Sequence, residues 1–330
     1  MGPTRCTIAA NVSGLLEILV NTLALGSLYA LIALGYTLVY GVLRFINFAH
    51  SDVVTWGAWI GLTVATSIGW AATTAPWFGL PVVMLIAMVV CGVMGFTIET
   101  LAYRPLRGAP RLNVLITAIG VSLLLQNLGQ LHDVPLRAWG VGFDLSLFGT
   151  QPGDIKGLVS NAPLFHVGQL AVPTVDVVVV VTALVLVLAL QWLIYRTRLG
   201  QAMRAVSFDE RVAALMGIDV NRVISITFVI GSMLAAAGGV LFAARRDNIP
   251  QTADTTWVLL GLKAFVAAVV GGIGNVRGAA VGALLIATIE QFGARYWSSS
   301  LKDVYVFALL IAVLLLKPSG ILGKAVVEKV

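Results

Sequence analysis

Residues 18–43 read ILVNTLALGSLYALIALGYTLVYGVL, 26 consecutive positions without a charge between Glu17 and Arg44. A helix rises about 1.5 Å per residue, so roughly 20 apolar residues cross a ~30 Å hydrocarbon core. This run is long enough to span a bilayer, and similar runs follow. The uncharged stretch 53–98 is too long for one crossing; residues 71–76, beside Trp70 and Trp77, mark a turn between two helices, and paired indoles suit a membrane interface. Residues 112–131, 177–195 and 223–244 read as further spans, with shorter, Gly-rich ones near 257–272, 278–292 and 304–316. The expected fold class is all-α: a single transmembrane helical bundle over residues 1–330 with about eight or nine spans. Its C-terminal half holds short or discontinuous helices, and the span count turns on whether one short segment is re-entrant.

Composition agrees. Lys and Arg number 21 and Asp and Glu 15, while 59% of residues are hydrophobic; soluble domains carry about 25% charge. The net charge of +6 is no nucleic-acid signal, because the basic residues collect in particular loops as the positive-inside bias requires. With the N-terminus outside, nine spans and the C-terminus inside, the inner segments hold 13 of the 21 basic residues: Arg44, Arg104, Arg107, Arg111, five Arg in 196–222, Arg277, Lys317, Lys324 and Lys329. Cys6 and Cys91 are too few for a disulfide scaffold and read as inert thiols. The N-terminus lacks a signal-peptide layout, since Glu17 interrupts any early apolar core.

Several polar features stand out. Asn47-Phe48-Ala49-His50-Ser51-Asp52 follows the first span near the inner boundary, with Ser51 or Asp52 as a helix cap. It reads either as a polar turn or as the inner end of a pathway, with Asn47 and His50 as path candidates. Gly271, Gly272 and Gly274 interrupt two short apolar segments, as a discontinuous helix or re-entrant turn lining a cavity would. Lys263 and Glu290 lie in or beside apolar runs, where a lipid-facing charge costs on the order of 3 kcal/mol. They are read as a structural pair across adjacent helices, or Lys263 snorkels to a boundary. One His and one Asp cannot make a metal site. No phosphate-binding GxxxxGK[ST] loop, nucleophile elbow, HExxH or CxxC pair occurs, so no cofactor and no catalysis are expected of this chain.

Residues 196–222 form a 27-residue polar island. Within it 200–206 and 209–216 look helical, with Asp209 and Glu210 in a first turn, Ser207 as a cap and Gly217 as a stop. It either lies on lipid headgroups or docks into a soluble partner. Residues 131–174, broken by Pro135, Pro152, Pro163 and Pro173, read as an outer segment forming a lid or short-helix structure, or a passive connector.

The chain also resembles a known family. Leu25-Gly26-Ser27-Leu28-Tyr29-Ala30-Leu31-Ile32-Ala33-Leu34-Gly35-Tyr36-Thr37-Leu38-Val39-Tyr40-Gly41, Asn47-Phe48-Ala49-His50, Tyr103-Arg104-Pro105-Leu106-Arg107, Gly200-Gln201-Ala202-Met203-Arg204-Ala205 and Gly261-Leu262-Lys263-Ala264-Phe265 with Gly271-Gly272-Ile273-Gly274 look like the H-type permease subunits of bacterial branched-chain amino acid ABC importers. Ser51 replaces the family's usual Gly after Asn-Phe-Ala-His. The resemblance implies a multi-pass permease of the bacterial inner membrane, acting with a second permease, two cytoplasmic ATPases that use ATP and Mg, and an extracytoplasmic solute-binding protein. It implies that 196–222 is a cytoplasmic coupling loop, with Gly200, Ala202, Arg204, Asp209, Glu210, Arg211, Ala213 and Gly217 as ATPase-coupling candidates. Only Ala213 and Gly217 hold the Glu-Ala-Ala-x-x-x-Gly pattern common there. The implied cargo is a branched-chain or other hydrophobic amino acid. An ABC permease for urea or short amides, or a stand-alone secondary transporter or channel, is the alternative.

Overall fold

The computed structural model describes residues 3–71, 75–130, 153–159, 162–167, 170–246 and 248–323. Among them run the helices α1 (Pro3–Leu43), α2 (His50–Ser67), α3 (Gly79–Ile98), α4 (Arg111–Leu128), α5 (Thr174–Arg196), α6 (Arg198–Phe208), α7 (Glu210–Leu215), α8 (Val220–Arg245), α9 (Thr255–Gly271), α10 (Val276–Tyr296) and α11 (Lys302–Leu316). A π turn, Glu99–Tyr103, and a 3₁₀ turn, Arg104–Leu106, extend α3. Six helical stretches are long and apolar enough to cross a membrane; α4 and α9 are shorter apolar helices. The protein is an all-α polytopic bundle with one small addition.

Helix α8 is the axis, packed against α1, α2 and α3. It can be central because its middle is made of small residues: Gly231, Ser232, Ala235, Ala236, Ala237, Gly238 and Gly239 are all buried. Lipid tails are as apolar as leucine, so helices in a bilayer associate through close packing rather than hydrophobic expulsion. A Cβ on Gly239 would stand 2.1 Å from the Val54 carbonyl oxygen of α2. Helices α5 and α11 present exposed leucine and valine outward instead.

The α1–α2 connection departs from a simple boundary turn. His50 packs beside Gly35, where a Cβ would lie 2.4 Å from the imidazole. Gly35 is eight residues before the end of α1, so α2 starts about 12 Å inside the bundle. Neither Ser51 nor Asp52 caps it: the N-cap position is Ala49, without a side-chain cap bond. Asn47 Oδ1 instead accepts from the Ala49 amide (3.1 Å), and Ser51 donates to the Phe48 carbonyl (3.1 Å).

Only part of 131–174 falls among the described residues. The described part contains a 3₁₀ turn, Lys156–Leu158, and an antiparallel hairpin of β1 (Pro163–Val167) and β2 (Leu170–Pro173). The segment is pinned to the α2–α3 turn through Ala75 and Gly157 (2.9 Å) and to the α8–α9 connection through Gly153 and Ile249 (2.7 Å).

Gly239→Ala is expected to lower the thermal unfolding midpoint of the detergent-solubilised protein, by about 1–3 kcal/mol of overpacking. Gly120→Ala, inside α4 with open space for its Cβ, is expected to leave the midpoint unchanged or raise it slightly.

Candidate functional site

The polar island folds as a compact knob. Thr197 caps α6 by accepting from the Gly200 amide, and Asp209, not Ser207, caps α7 by accepting from the Arg211 and Val212 amides. Gly217, at φ +82°, ends α7. Arg204 donates to the Ile194 carbonyl, and Arg44 donates to the Ser207 carbonyl (3.1 Å). Ala213 turns inward, buried with Met203, Val206 and Val223. Phe208, Leu215 and Met216 are 88%, 86% and 78% exposed, and Ala202, Glu210 and Arg211 lie on the same two helices.

The same end holds the α9–α10 turn. Gly272 and Gly274 take φ of +107° and +90°, a region open to glycine. A Cβ on Gly271 would meet the Gly278 carbonyl at 2.0 Å. The break in the apolar run is thus a tight hairpin between two helices. Asn275 caps α10 and donates to the Leu322 carbonyl (2.9 Å). Gly274 lines a small crevice of about 100 Å³ with Thr37, Gly41, Arg204 and Ser207, directly beneath the knob.

Asn47 and His50 are buried and already committed. Asn47 accepts from the Tyr103 hydroxyl (2.7 Å). The His50 ring contacts Tyr36 edge-on, with Nε2 3.3 Å from the Ile32 carbonyl. Their neighbours Phe48 and Ser51, together with Tyr36, line a second cavity of about 300 Å³ between α1, α2, α4 and α9.

At the opposite end lies a vestibule of about 570 Å³, bordered by Tyr29, Asp176, Arg245, Lys263, Glu290 and Asp303. Lys263 and Glu290 pair at 2.8 Å across α9 and α10. The Tyr29 hydroxyl donates to the other Glu290 oxygen (2.7 Å). Lys263 Nζ also stands 2.6 Å from Asp303 Oδ1, a charge contact rather than an aligned hydrogen bond. One buried cluster therefore joins α1, α9, α10 and α11. Nearby, Arg245 binds Asp176 (2.6 Å) and Asn21 (2.8 Å), tying α8 to α5 and α1.

Sequence reading missed Glu99, which is fully buried. It takes Arg104 (3.2 Å), Arg107 and the Ser225 hydroxyl (2.6 Å). The signal was present in an acidic residue closing an apolar run with two Arg five and eight positions later. Among the described residues no cluster of three or more His, Cys, Asp or Glu could hold a metal.

Glu290→Gln removes the more buried of the two carboxylates at Lys263 and leaves it only the half-exposed Asp303. Breaking such a pair costs on the order of 3 kcal/mol, so the variant is expected to unfold at lower temperature in detergent. The double substitution Lys263→Met with Glu290→Leu is expected to recover most of that loss.

Residues 18–314 match the family described as branched-chain amino acid transport system / permease component. The chain is 38% identical to the "High-affinity branched-chain amino acid transport system permease protein LivH" of Salmonella typhimurium, across 96% of this chain and 97% of that one. It is 39% identical to the corresponding BraD protein of Pseudomonas aeruginosa, across 96% and 98%. Identity to a probable LivH of Methanocaldococcus jannaschii is 27%, across 93% and 92%. With a bundle built of apolar helices and similarity running through nearly its whole length, the chain belongs to the branched-chain amino acid transport permease family, as a transmembrane, non-catalytic permease subunit of an ABC importer.

Proposed function

We propose that this subunit carries branched-chain or other hydrophobic amino acids into the cell by alternating access, driven by ATP and Mg in two cytoplasmic ATPases. A second homologous permease completes the membrane part, and an extracytoplasmic binding protein delivers the amino acid. The observation that carries the reading is the α6–α7 knob. It exposes Phe208, Leu215 and Met216 on a base fixed to α1 and α5 through Arg44 and Arg204. A rigid knob with an apolar tip transmits the movement of a docked protein, whereas an anchor on lipid needs a longer apolar face and no such bracing.

In this reading Met216, Leu215 and Phe208 touch the ATPase. Gly200, Ala202, Arg204, Asp209, Glu210, Arg211, Ala213 and Gly217 build and orient the contact. Asn47 and His50 hold the wall of the route, and the turn at Gly271, Gly272 and Gly274 flexes beside it. Lys263 and Glu290 latch the bundle. The excess of basic residues on the segments at the knob end supports a cytoplasmic C-terminus and an outside N-terminus in a cytoplasmic membrane. The 300 Å³ cavity carries Ser122 and Gln126 among mostly apolar walls and opens beside exposed Ile119, Leu123 and Val258. Polar groups are poorly placed against lipid, which supports a second permease covering this face.

In the assembled importer, Met216→Cys is expected to crosslink to the ATPase and buried Ala213→Cys to remain unreactive. Labelling of Met216→Cys by lipid probes without any ATPase crosslink would overturn the docking assignment. ATP-dependent uptake of labelled L-leucine into proteoliposomes, competed by valine but not by urea, is the expected transport result. Gradient-driven uptake by this chain alone would overturn the importer reading.

A further inference from the structure

The latch, knob and hairpin leave one buried charge unexplained. Asp52, in the first turn of α2, is 2% exposed, and it lies well inside the bundle. Gln126 Nε2 of α4 donates to Asp52 Oδ1 (2.9 Å) and to the Ser122 hydroxyl (3.3 Å). Asp52 Oδ2 has no hydrogen-bond partner among the described residues. A carboxylate inside a bilayer is expensive and marks a functional site by default. The positive end of α2 offsets part of that cost, but it supplies no counter-charge.

The neighbouring cavity shows what the arrangement suits. Ser122 and Gln126 line it, with Tyr36 and Ser51. Because a carboxylate only accepts, the Gln126 amide must turn its NH2 group toward Asp52. Its carbonyl oxygen is then left as an acceptor with no protein donor among the described residues. Leu262, Phe265, Ile119 and Leu123 make up much of the remaining lining. The volume of about 300 Å³ lies at the small end of ligand sites, which suits a single amino acid.

We infer that this cavity is a transit site for an α-amino acid zwitterion. The Gln126 carbonyl accepts the ammonium, the hydroxyls of Tyr36 and Ser122 meet the carboxylate, and the aliphatic side chain rests against Leu262 and Phe265. Asp52 is a positioning residue: it fixes the direction of the Gln126 amide and supplies the negative potential behind it. The inference rests on the proposal that the importer carries amino acids. It adds that selection continues within the membrane, after the binding protein has released its cargo.

The test is the number of L-leucine molecules imported per ATP hydrolysed by the assembled importer in proteoliposomes, with leucine-loaded binding protein outside. Asp52→Asn and Gln126→Leu are expected to lower this ratio about tenfold, the factor one lost charge-assisted contact carries. Asp52→Glu keeps the charge and is expected to retain most of it. A purely structural defect would lower uptake and hydrolysis together, and an unchanged ratio in the two variants overturns the inference. If Asp52→Asn fails to assemble, Gln126→Leu at the half-buried cavity wall decides alone. Normal leucine import by the wild type with unchanged ratios in the variants overturns the transit site only. Absence of leucine import by the wild type overturns the amino acid reading and the site with it.

Discussion

The backbone contact between α2 and α8 is the constraint on which the bundle depends. Gly239 sits against the Val54 carbonyl at a distance that excludes even a methyl group. Without a hydrophobic drive between helices in lipid, such contacts and the dispersion energy they bring set which helices are neighbours. The small-residue face of α8 fixes α1, α2 and α3 around it, and Gly35 lets the 44–49 segment turn back into the interior. The depth at which α2 begins, and hence the location of its first polar residues, follows from that packing.

Buried charge is then found at three levels, always where helices meet. Glu99 with Arg104 and Arg107 lies near the knob, Asp52 inside the bundle, and Lys263 with Glu290 and Asp303 at the vestibule. In the first and last clusters every buried charge faces at least one opposite charge, and the surplus charge sits on a partly exposed partner, Arg104 or Asp303. Asp52 differs because its partner is a neutral amide. Two ion-paired clusters at the ends and a carboxylate without an opposite charge between them describe a bundle latched at both faces around an interior with a residual potential.

Much of this was legible from residues alone. Uncharged runs of bilayer length became helices, and the two helices expected in 196–222 are α6 and α7, with Gly217 as the stop. Sequence left Lys263 either pairing with Glu290 or snorkelling to a boundary, and the structure places the two at 2.8 Å. The cap assignments failed: Asp209 rather than Ser207 begins α7, and Ser51 and Asp52 do not cap α2. Several polar residues in a row can each fill a cap, and the backbone path selects one. The β-hairpin in 163–173 escaped notice because its strands are short and its prolines read as breaks. Ala213 was the firmest motif match in the island, yet its methyl is packed inward and its neighbours Leu215 and Met216 are the exposed ones.

The amino-acid sequence by itself determined that this is a multi-pass helical protein and to which family it belongs. These properties follow from local hydropathy and from residue patterns that need no partner. Only the tertiary structure decided that Ser225 of α8 completes the Glu99 site, that α2 starts inside the bundle, and that Gln126 turns its amide to Asp52. Those outcomes depend on helices distant in sequence, whose spacing is set by glycine contacts at tenths of an ångström. Hydropathy carries no information at that scale.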